Sequence, residues 1–364
     1  MRIAFDCRYV RVDHHDGISR YTAGLVGELA RLHPVTMLVS DERQLRMLPD
    51  LPWHRVSSPT GPREPFVARQ VAALAPDVVF SPMQTMGSWG RRYRLVLTLH
   101  DLIYYRHGTP PRDLPAPVRL LWRLYHLAWW PQRVLLDRAD AVVTVSHTTA
   151  AAIAAHRLTR RPVTVVPNAA EPLPDGTLSD GTLPDGTLPD GTVAAGRRLV
   201  YMGSFMPYKN VDALVRAAAR LPEHELHLMS RVPPAERARL EALAPGARLV
   251  FHDGASDAEY AAVLRGATAL VSASRDEGFG IPLVEAMSVG TPVVVSDIPV
   301  FREVGGDAAA YAAPDDVDGF VAAVRELDDP AVHAARSAAA RDRAGHYTWA
   351  ASARTLLTLL ESLA

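Results

Sequence analysis

Short apolar runs alternate with segments of helical spacing along nearly the whole chain, and this alternation restricts the fold more than any other feature. In the first half, residues 2–5 (RIAF), 35–39 (VTMLV), 77–80 (DVVF), 95–99 (LVLTL), 141–145 (AVVTV) and 163–166 (VTVV) read as strands. Between them, residues 18–32 (ISRYTAGLVGELARL) and 147–156 (HTTAAAIAAH) have helical periodicity. The second half repeats the pattern with 197–202 (RRLVYM), 225–229 (ELHLM), 247–251 (ARLVF), 267–273 (ATALVSA) and 292–296 (PVVVS). Strands this uniformly apolar need cover on both faces, which parallel sheets flanked by helices provide. The expected class is α/β, with two Rossmann-like domains whose parallel sheets face an interdomain cleft. A length of 364 residues fits two domains of about 100–200 residues each.

The boundary is marked by a five-residue repeat. From Pro174 the chain reads PDGTLSDGTLPDGTLPDGT, with Asp175, Asp180, Asp185 and Asp190 in register. Asp-Gly is a turn signal, and the period is far too short for a solenoid. A surface insertion is the plain reading, and calcium binding by the aspartates is the alternative. The expected organisation is a first domain at 1–168, a connection at 169–196 and a second domain at 197–345. The tail, 346–364 (HYTWAASARTLLTLLESLA), is expected to form an amphipathic helix packing back toward the first domain.

Charge and cysteine usage exclude some roles. With 39 Lys+Arg against 40 Asp+Glu, the net charge of −1 lacks the basic surplus expected of a nucleic-acid binder. The lone cysteine, Cys7, allows no intramolecular disulfide, fits a reducing compartment and is expected to be buried. The opening MRIAFDCRYV lacks a signal-peptide core, and no stretch approaches the ~18–20 apolar residues of a membrane span. A cytoplasmic location is expected.

The richest stretch is Ser274 to Val294, SRDEGFGIPLVEAMSVGTPVV. A strand ends near Ser274, Pro282 suits the first turn of a helix, and Gly290 closes that helix. The turn EGFGI thus joins a strand's carboxyl end to a helix's amino end, the edge where open parallel sheets bind ligands. Unpaired amides at a helix start accept an anion, and Gly278 and Gly280 let the backbone approach it. Glu277 and Glu285 flank those amides, and carboxylates accept hydrogen bonds from paired sugar hydroxyls. Alternatively, Glu285 interacts with the helix dipole, and Glu277 is a solvated loop charge.

This stretch resembles the signature of retaining glycosyltransferases of family 4, which have the GT-B fold. Their Glu-x7-Glu motif is matched by Glu277, Gly278, Phe279, Gly280, Ile281, Pro282, Leu283, Val284, Glu285, Ala286 and Met287. The resemblance implies that Glu277 meets the donor sugar, that Glu285 meets the ribose, and that amides from Phe279 through Val284 meet sugar and diphosphate. YMGSFMPYKN (201–210) resembles the family's G-[STR]-x-x-P-R-K-N. Lys209 then neutralises the diphosphate, and Gly203 and Ser204 let their loop approach it. Tyr208 stands where an arginine is common; Arg275 and Arg231 are the candidate replacements.

The first half carries weaker signals. Gly17, Ile18, Ser19 and Arg20 resemble the family's first glycine loop, where the backbone nears the diphosphate and the acceptor. Arg20 either reaches the phosphates or pairs structurally. His100 and Asp101 end the strand LVLTL, as in a family subgroup with T-x-H-D-L. His100 is a candidate for the donor sugar or the acceptor side, and Asp101 either orients it or caps the next helix. Ser146 reads as a helix cap and Asn168 as a turn residue. Residues 117–141, rich in aromatics and arginines, either pack into the first domain or lie on a membrane surface, with Trp129 and Trp130 the telling residues.

The resemblance as a whole implies transfer of a sugar from a nucleoside diphosphate donor to a hydroxyl of a glycan or lipid-linked glycan, with retention. GDP-mannose is the first expectation, by likeness to bacterial mannosyltransferases. A UDP-sugar acting on a small metabolite, or a non-catalytic nucleotide-sugar-binding partner subunit, are the alternatives. Neither a metal nor another cofactor is expected.

Overall fold

The structure, a computed structural model, describes all residues except 15, 111–115, 172 and 174–196. The five-residue repeat and most of the expected 169–196 connection lie outside the described residues. Two compact units are present: Met1–Ala169 with Thr348–Ala364, and Ala170–Tyr347.

The first unit holds seven parallel strands: β1 (Ile3–Asp6), β2 (Val35–Val39), β3 (Trp53–Arg55), β4 (Val78–Ser81), β5 (Arg94–Leu99), β6 (Ala141–Thr144) and β7 (Val163–Val165). Their order is β3-β2-β1-β4-β5-β6-β7. The strand order therefore reverses direction between β1 and β4, and the loops leaving those strands open a crevice there. β1, β4 and β6 are buried along their whole length, as strands covered on both faces must be.

The tail helix, Trp349–Leu363, belongs to this unit. Its Trp349 ring lies edge-on to Tyr21, with centroids 5.9 Å apart. A Cβ at Gly24 would sit 2.3 Å from the Trp349 indole, so only glycine lets the Gly17–Leu32 helix accept that ring. Ser352 donates to the Pro167 carbonyl at 2.8 Å, fixing the far side of the same helix.

The second unit holds six parallel strands: β8 (Arg197–Tyr201), β9 (His224–Leu228), β10 (Arg248–Phe251), β11 (Ala269–Ser272), β12 (Val293–Ser296) and β13 (Ala310–Ala312). Their order, β10-β9-β8-β11-β12-β13, again reverses at the centre, between β8 and β11. Its core joins Leu199, Tyr201, Leu214, Leu226, Val271 and Phe320. Both units are thus Rossmann-like, and the α/β class is as expected. Two short edge strands, β3 and β13, were not among the expected ones; β3 is exposed along its three residues and carries no apolar run.

Candidate functional site

The site in the second unit grows from two loops at its switch point. β8 ends at Tyr201 and β11 at Ser272, and these neighbouring strands release residues 202–210 and 273–280 at the same sheet edge. Tyr201, fully buried, donates from its phenol to the Ser204 carbonyl at 2.6 Å, folding the first loop back on its strand. A Cβ at Gly203 would lie 2.8 Å from that phenol oxygen, and the Gly203 amide donates to Ser230 Oγ at 3.2 Å.

Lys209 ends a single 3-10 turn, Pro207–Lys209. Asn210 follows in the left-handed region at φ 52°, and its side-chain amide donates to the Pro314 carbonyl at 2.6 Å. The chain therefore reverses directly after Lys209 and turns its ammonium toward the second loop. There Lys209 Nζ meets Glu277 Oε1 at 2.5 Å, with the two side chains only 16% and 13% exposed. The same oxygen accepts from Ser274 Oγ at 2.8 Å. Glu277 Oε2 has no hydrogen-bond partner among the described residues, which leaves a carboxylate lone pair open to a hydroxyl donor. The loops are also joined by their backbones: the Arg275 amide donates to the Tyr208 carbonyl at 2.8 Å.

The second loop ends in the Ile281–Ser288 helix. Gly280, at φ 97°, is its amino-terminal cap, and a Cβ there would press to 2.9 Å from the Phe301 ring. Phe279 is buried edge-on to Tyr347 at 5.3 Å, anchoring the turn. The six-residue amide cluster expected from the sequence narrows here. Pro282 has no N–H, and the Leu283 amide already donates to the Gly280 carbonyl at 3.0 Å, because the first turn tightens. The side chains of Leu283 and Val284 are core residues. Among the described residues, the amides left without a backbone acceptor are those of Phe279, Gly280 and Ile281. Glu285 comes from the helix's second turn and is 3% exposed, so it is neither a surface charge nor part of the first-turn dipole pattern.

Of the two cations proposed to replace the missing arginine, Arg275 is engaged. It chelates Asp315 at 2.5 and 2.7 Å and donates to Asn210 Oδ1 at 3.1 Å, an ion pair that raises its pKa and lowers that of Asp315. Arg231, in the loop that follows β9 beside Ser230, is exposed and makes no ion pair among the described residues.

The first unit brings its own candidates together. Asp16 caps the Gly17–Leu32 helix by accepting from the Ser19 amide and hydroxyl, both at 2.8 Å, and from Arg11 at 3.1 Å. Burial works against its ionisation, but these hydrogen bonds hold its carboxyl below the ordinary value. Gly17 and Ile18 open that helix, and Arg20 lies half-buried one turn on. Tyr21, fully buried, sets its ring edge-on to His100 with centroids 5.0 Å apart. His100 follows β5, and its Nε2 lies 2.7 Å from the Pro82 carbonyl. A carbonyl partner requires the proton on Nε2, leaving Nδ1 as the acceptor. Burial lowers its pKa, so the ring is neutral at pH 7. Asp101 accepts from the Ile103 amide at 2.9 Å, at the start of the Ile103–Arg106 helix. Ser146 likewise caps its helix through the Thr149 amide at 3.1 Å.

One cluster was missed. At the end of β1, buried Arg8 grips Asp6 at 2.7 and 3.0 Å and Glu64 at 2.5 and 3.1 Å, and donates to the Ser57 carbonyl at 3.1 Å. Ser81 at the end of β4 donates to Asp6 at 3.0 Å, and the Gly87 amide to Glu64 at 2.9 Å. Burial alone would lower the Arg8 pKa, but the two carboxylates outweigh it and hold the guanidinium charged. The network fixes the crevice floor between β1 and β4. An aspartate and an arginine two apart at the end of a strand, in FDCR, were its visible sign.

Two Rossmann-like units, the second with a cation, carboxylates and open amides at its switch point, define an α/β enzyme class that binds an anionic ligand at the sheet edge, and comparison with known proteins names the family. Residues 15–172 match the family described as Glycosyltransferase Family 4, and residues 196–329 match Glycosyl transferases group 1. The chain belongs to these glycosyltransferases, and several of the relatives it resembles are mannosyltransferases.

A phosphatidyl-myo-inositol mannosyltransferase of Mycolicibacterium smegmatis is 33% identical over 177 residues, 46% of each chain. The O-antigen chain mannosyltransferase RfbU of Salmonella typhimurium is 53% identical over 62 residues, 17% of this chain and 18% of the relative. The chain thus matches less than half the length of either relative. Among solved structures, sucrose-phosphate synthase from Thermosynechococcus elongatus has a TM-score of 0.75 at 20% identity, covering 100% of this chain and 98% of that one. Anabaena HepE, in complex with UDP and glucose, has a TM-score of 0.71 at 18% identity, with both chains covered fully. At these identities they establish the shared GT-B fold.

Proposed function

We propose that the chain transfers a sugar, mannose from GDP-mannose, to a hydroxyl of a glycan or lipid-linked glycan, with retention at the anomeric carbon. The observation that carries this reading is the meeting of Lys209 with Glu277 at 2.5 Å beside the open amides of Phe279, Gly280 and Ile281. A diphosphate takes the ammonium and the amides, and its sugar takes the Glu277 carboxylate. Arg231, exposed and without an ion pair among the described residues, is the second cation for the diphosphate. Glu285 accepts the ribose hydroxyls; with 3% exposure it is already withdrawn from water before the nucleotide arrives. Gly17, Ile18, Arg20 and His100 serve the acceptor side. Neutral His100 accepts through Nδ1.

In the step itself, the bond from anomeric carbon to phosphate oxygen breaks. The acceptor oxygen bonds that carbon on the same face, and its proton passes to the leaving diphosphate. The protein's work is positioning and charge stabilisation, which require no protein nucleophile. The names of the mannosyltransferase relatives support mannose. A UDP-sugar donor is the second reading, supported by the UDP and glucose held by Anabaena HepE. Purified chain incubated separately with GDP-mannose and UDP-glucose, with and without a glycan acceptor, tests this. Faster release of GDP than of UDP, with an α-linked product, is expected. Turnover of the UDP-sugar alone would move the donor assignment, and turnover of neither would overturn the enzymatic reading.

A further inference from the structure

We propose that the outward face of the Ala116–His126 helix, continued by the start of the Trp130–Leu136 helix, docks on an anionic lipid bilayer. Twelve large hydrophobic side chains are exposed among the described residues, and seven of them fall between Val118 and Val134. Leu120, Leu121 and Leu124 stand outward on the first helix. Leu127 follows at 78% exposure, and Trp130, at 65%, and Val134 stand one turn apart on the second.

The inner face of the same helix is already satisfied. Trp122 sits edge-on to Tyr104 at 5.1 Å, and His126 edge-on to Tyr105 at 4.9 Å. Tyr125 donates to Gln132 at 2.8 Å. Trp129 is sandwiched between Tyr105 at 4.0 Å and His156 at 4.1 Å. The adjacent tryptophans therefore take opposite parts: Trp129 anchors the segment to the unit, and Trp130 faces out. Among the described residues, nothing in the unit covers the leucines on the side of the helix opposite these aromatics.

Charge selects the occupant. Residues 116–136 contain Arg119, Arg123 and Arg133 and no acidic residue. Arg119 and Arg123 border the leucine face and make no ion pair among the described residues. Leucines that reach acyl chains, arginines at headgroup level and a tryptophan at the interface form the pattern of an in-plane helix on an anionic membrane. No described helix is long and apolar enough to cross a membrane, so the helix lies along the surface. This surface stands on its own observations; joined to the proposed function, it brings the chain to an acceptor carried on lipid.

The test is binding of the full chain to phosphatidylcholine vesicles with and without about 30% phosphatidylglycerol, read by co-sedimentation and tryptophan fluorescence. Calorimetry with GDP on the same samples monitors the other site independently. The wild-type chain is expected to prefer the anionic vesicles at least about tenfold, with a blue shift. Because each basic residue near an anionic surface contributes about a fivefold factor, Arg119→Ala with Arg123→Ala should weaken binding about 25-fold. Leu120→Ser with Leu124→Ser should remove the blue shift while sparing the fold, since both side chains are exposed. Equal binding by that leucine variant, or no preference for anionic vesicles, would overturn the proposal. So would a wild-type dimer that the leucine variant dissolves, because the surface would then join two copies of the chain. Vesicle binding without GDP binding would keep this surface and sink the donor site.

Discussion

Replacing Glu277 by glutamine should tighten GDP binding while slowing sugar transfer. The carboxylate holds Lys209 Nζ at 2.5 Å, and both side chains are largely withdrawn from water, so the pair is weakly screened. A phosphate oxygen in hydrogen-bond contact with the ammonium, at about 2.9 Å, would sit about 5 Å from that carboxylate. Two unit charges at about 5 Å repel by about 3 kcal/mol at an effective dielectric of about 20. Glutamine removes the repulsion and keeps the side chain's shape. Residual solvent and salt reduce the gain to about 1–2 kcal/mol, roughly five- to thirtyfold in Kd. Calorimetry of GDP against wild-type and E277Q reads this directly. With GDP-mannose the gain is offset, because the amide is a poorer acceptor for the sugar's hydroxyls, and kcat should fall by two orders of magnitude or about 3 kcal/mol. Unchanged or weaker GDP binding in E277Q would refute the placement of the diphosphate on Lys209.

Three further outcomes follow from the same geometry. Lys209→Met should weaken GDP binding by about tenfold or more in calorimetry, and unchanged affinity would deny the ammonium its place on the diphosphate. His100 titrates below its ordinary value of 6.5 when folded. Below pH 6.5 the unfolded chain takes up this proton first, so the contribution is complete above 6.5 and is lost as pH falls through the folded value. His100→Gln should flatten that acid loss in thermal melts between about pH 5 and 7.5, and an unchanged pH profile would contradict it. Trp349→Ala should cost about 3–5 kcal/mol by emptying the space against Tyr21 and Gly24, lowering Tm by about 6–20 °C in calorimetry; an unchanged Tm would place the tail helix elsewhere.

What the sequence revealed follows the range of the interactions involved. The central strands were legible because burial on both faces leaves an uninterrupted apolar run, as in Val293–Ser296. The turn at Gly280 and Pro282 was legible because a left-handed cap and a helix-starting proline are local requirements. The narrowing of the amide cluster was not, since it turns on one bond from Leu283 to Gly280. The Arg8 network escaped for a different reason: Glu64 lies 56 positions away, and only the fold makes them neighbours. Periodicity alone could not divide Trp129 from Trp130, because Tyr105 and His156 decide which ring is covered. The edge strand Trp53–Arg55 pairs through its backbone with β2 and owes nothing to side-chain pattern.

The most direct test of the donor site is a crystal structure of the chain with GDP-mannose. Diphosphate oxygens should lie within hydrogen-bond reach of Lys209 Nζ and the Phe279–Ile281 amides, with the mannose at Glu277 and the ribose at Glu285. Nucleotide bound away from this sheet edge, or Lys209 still held by Glu277 with the diphosphate beyond its reach, would contradict it.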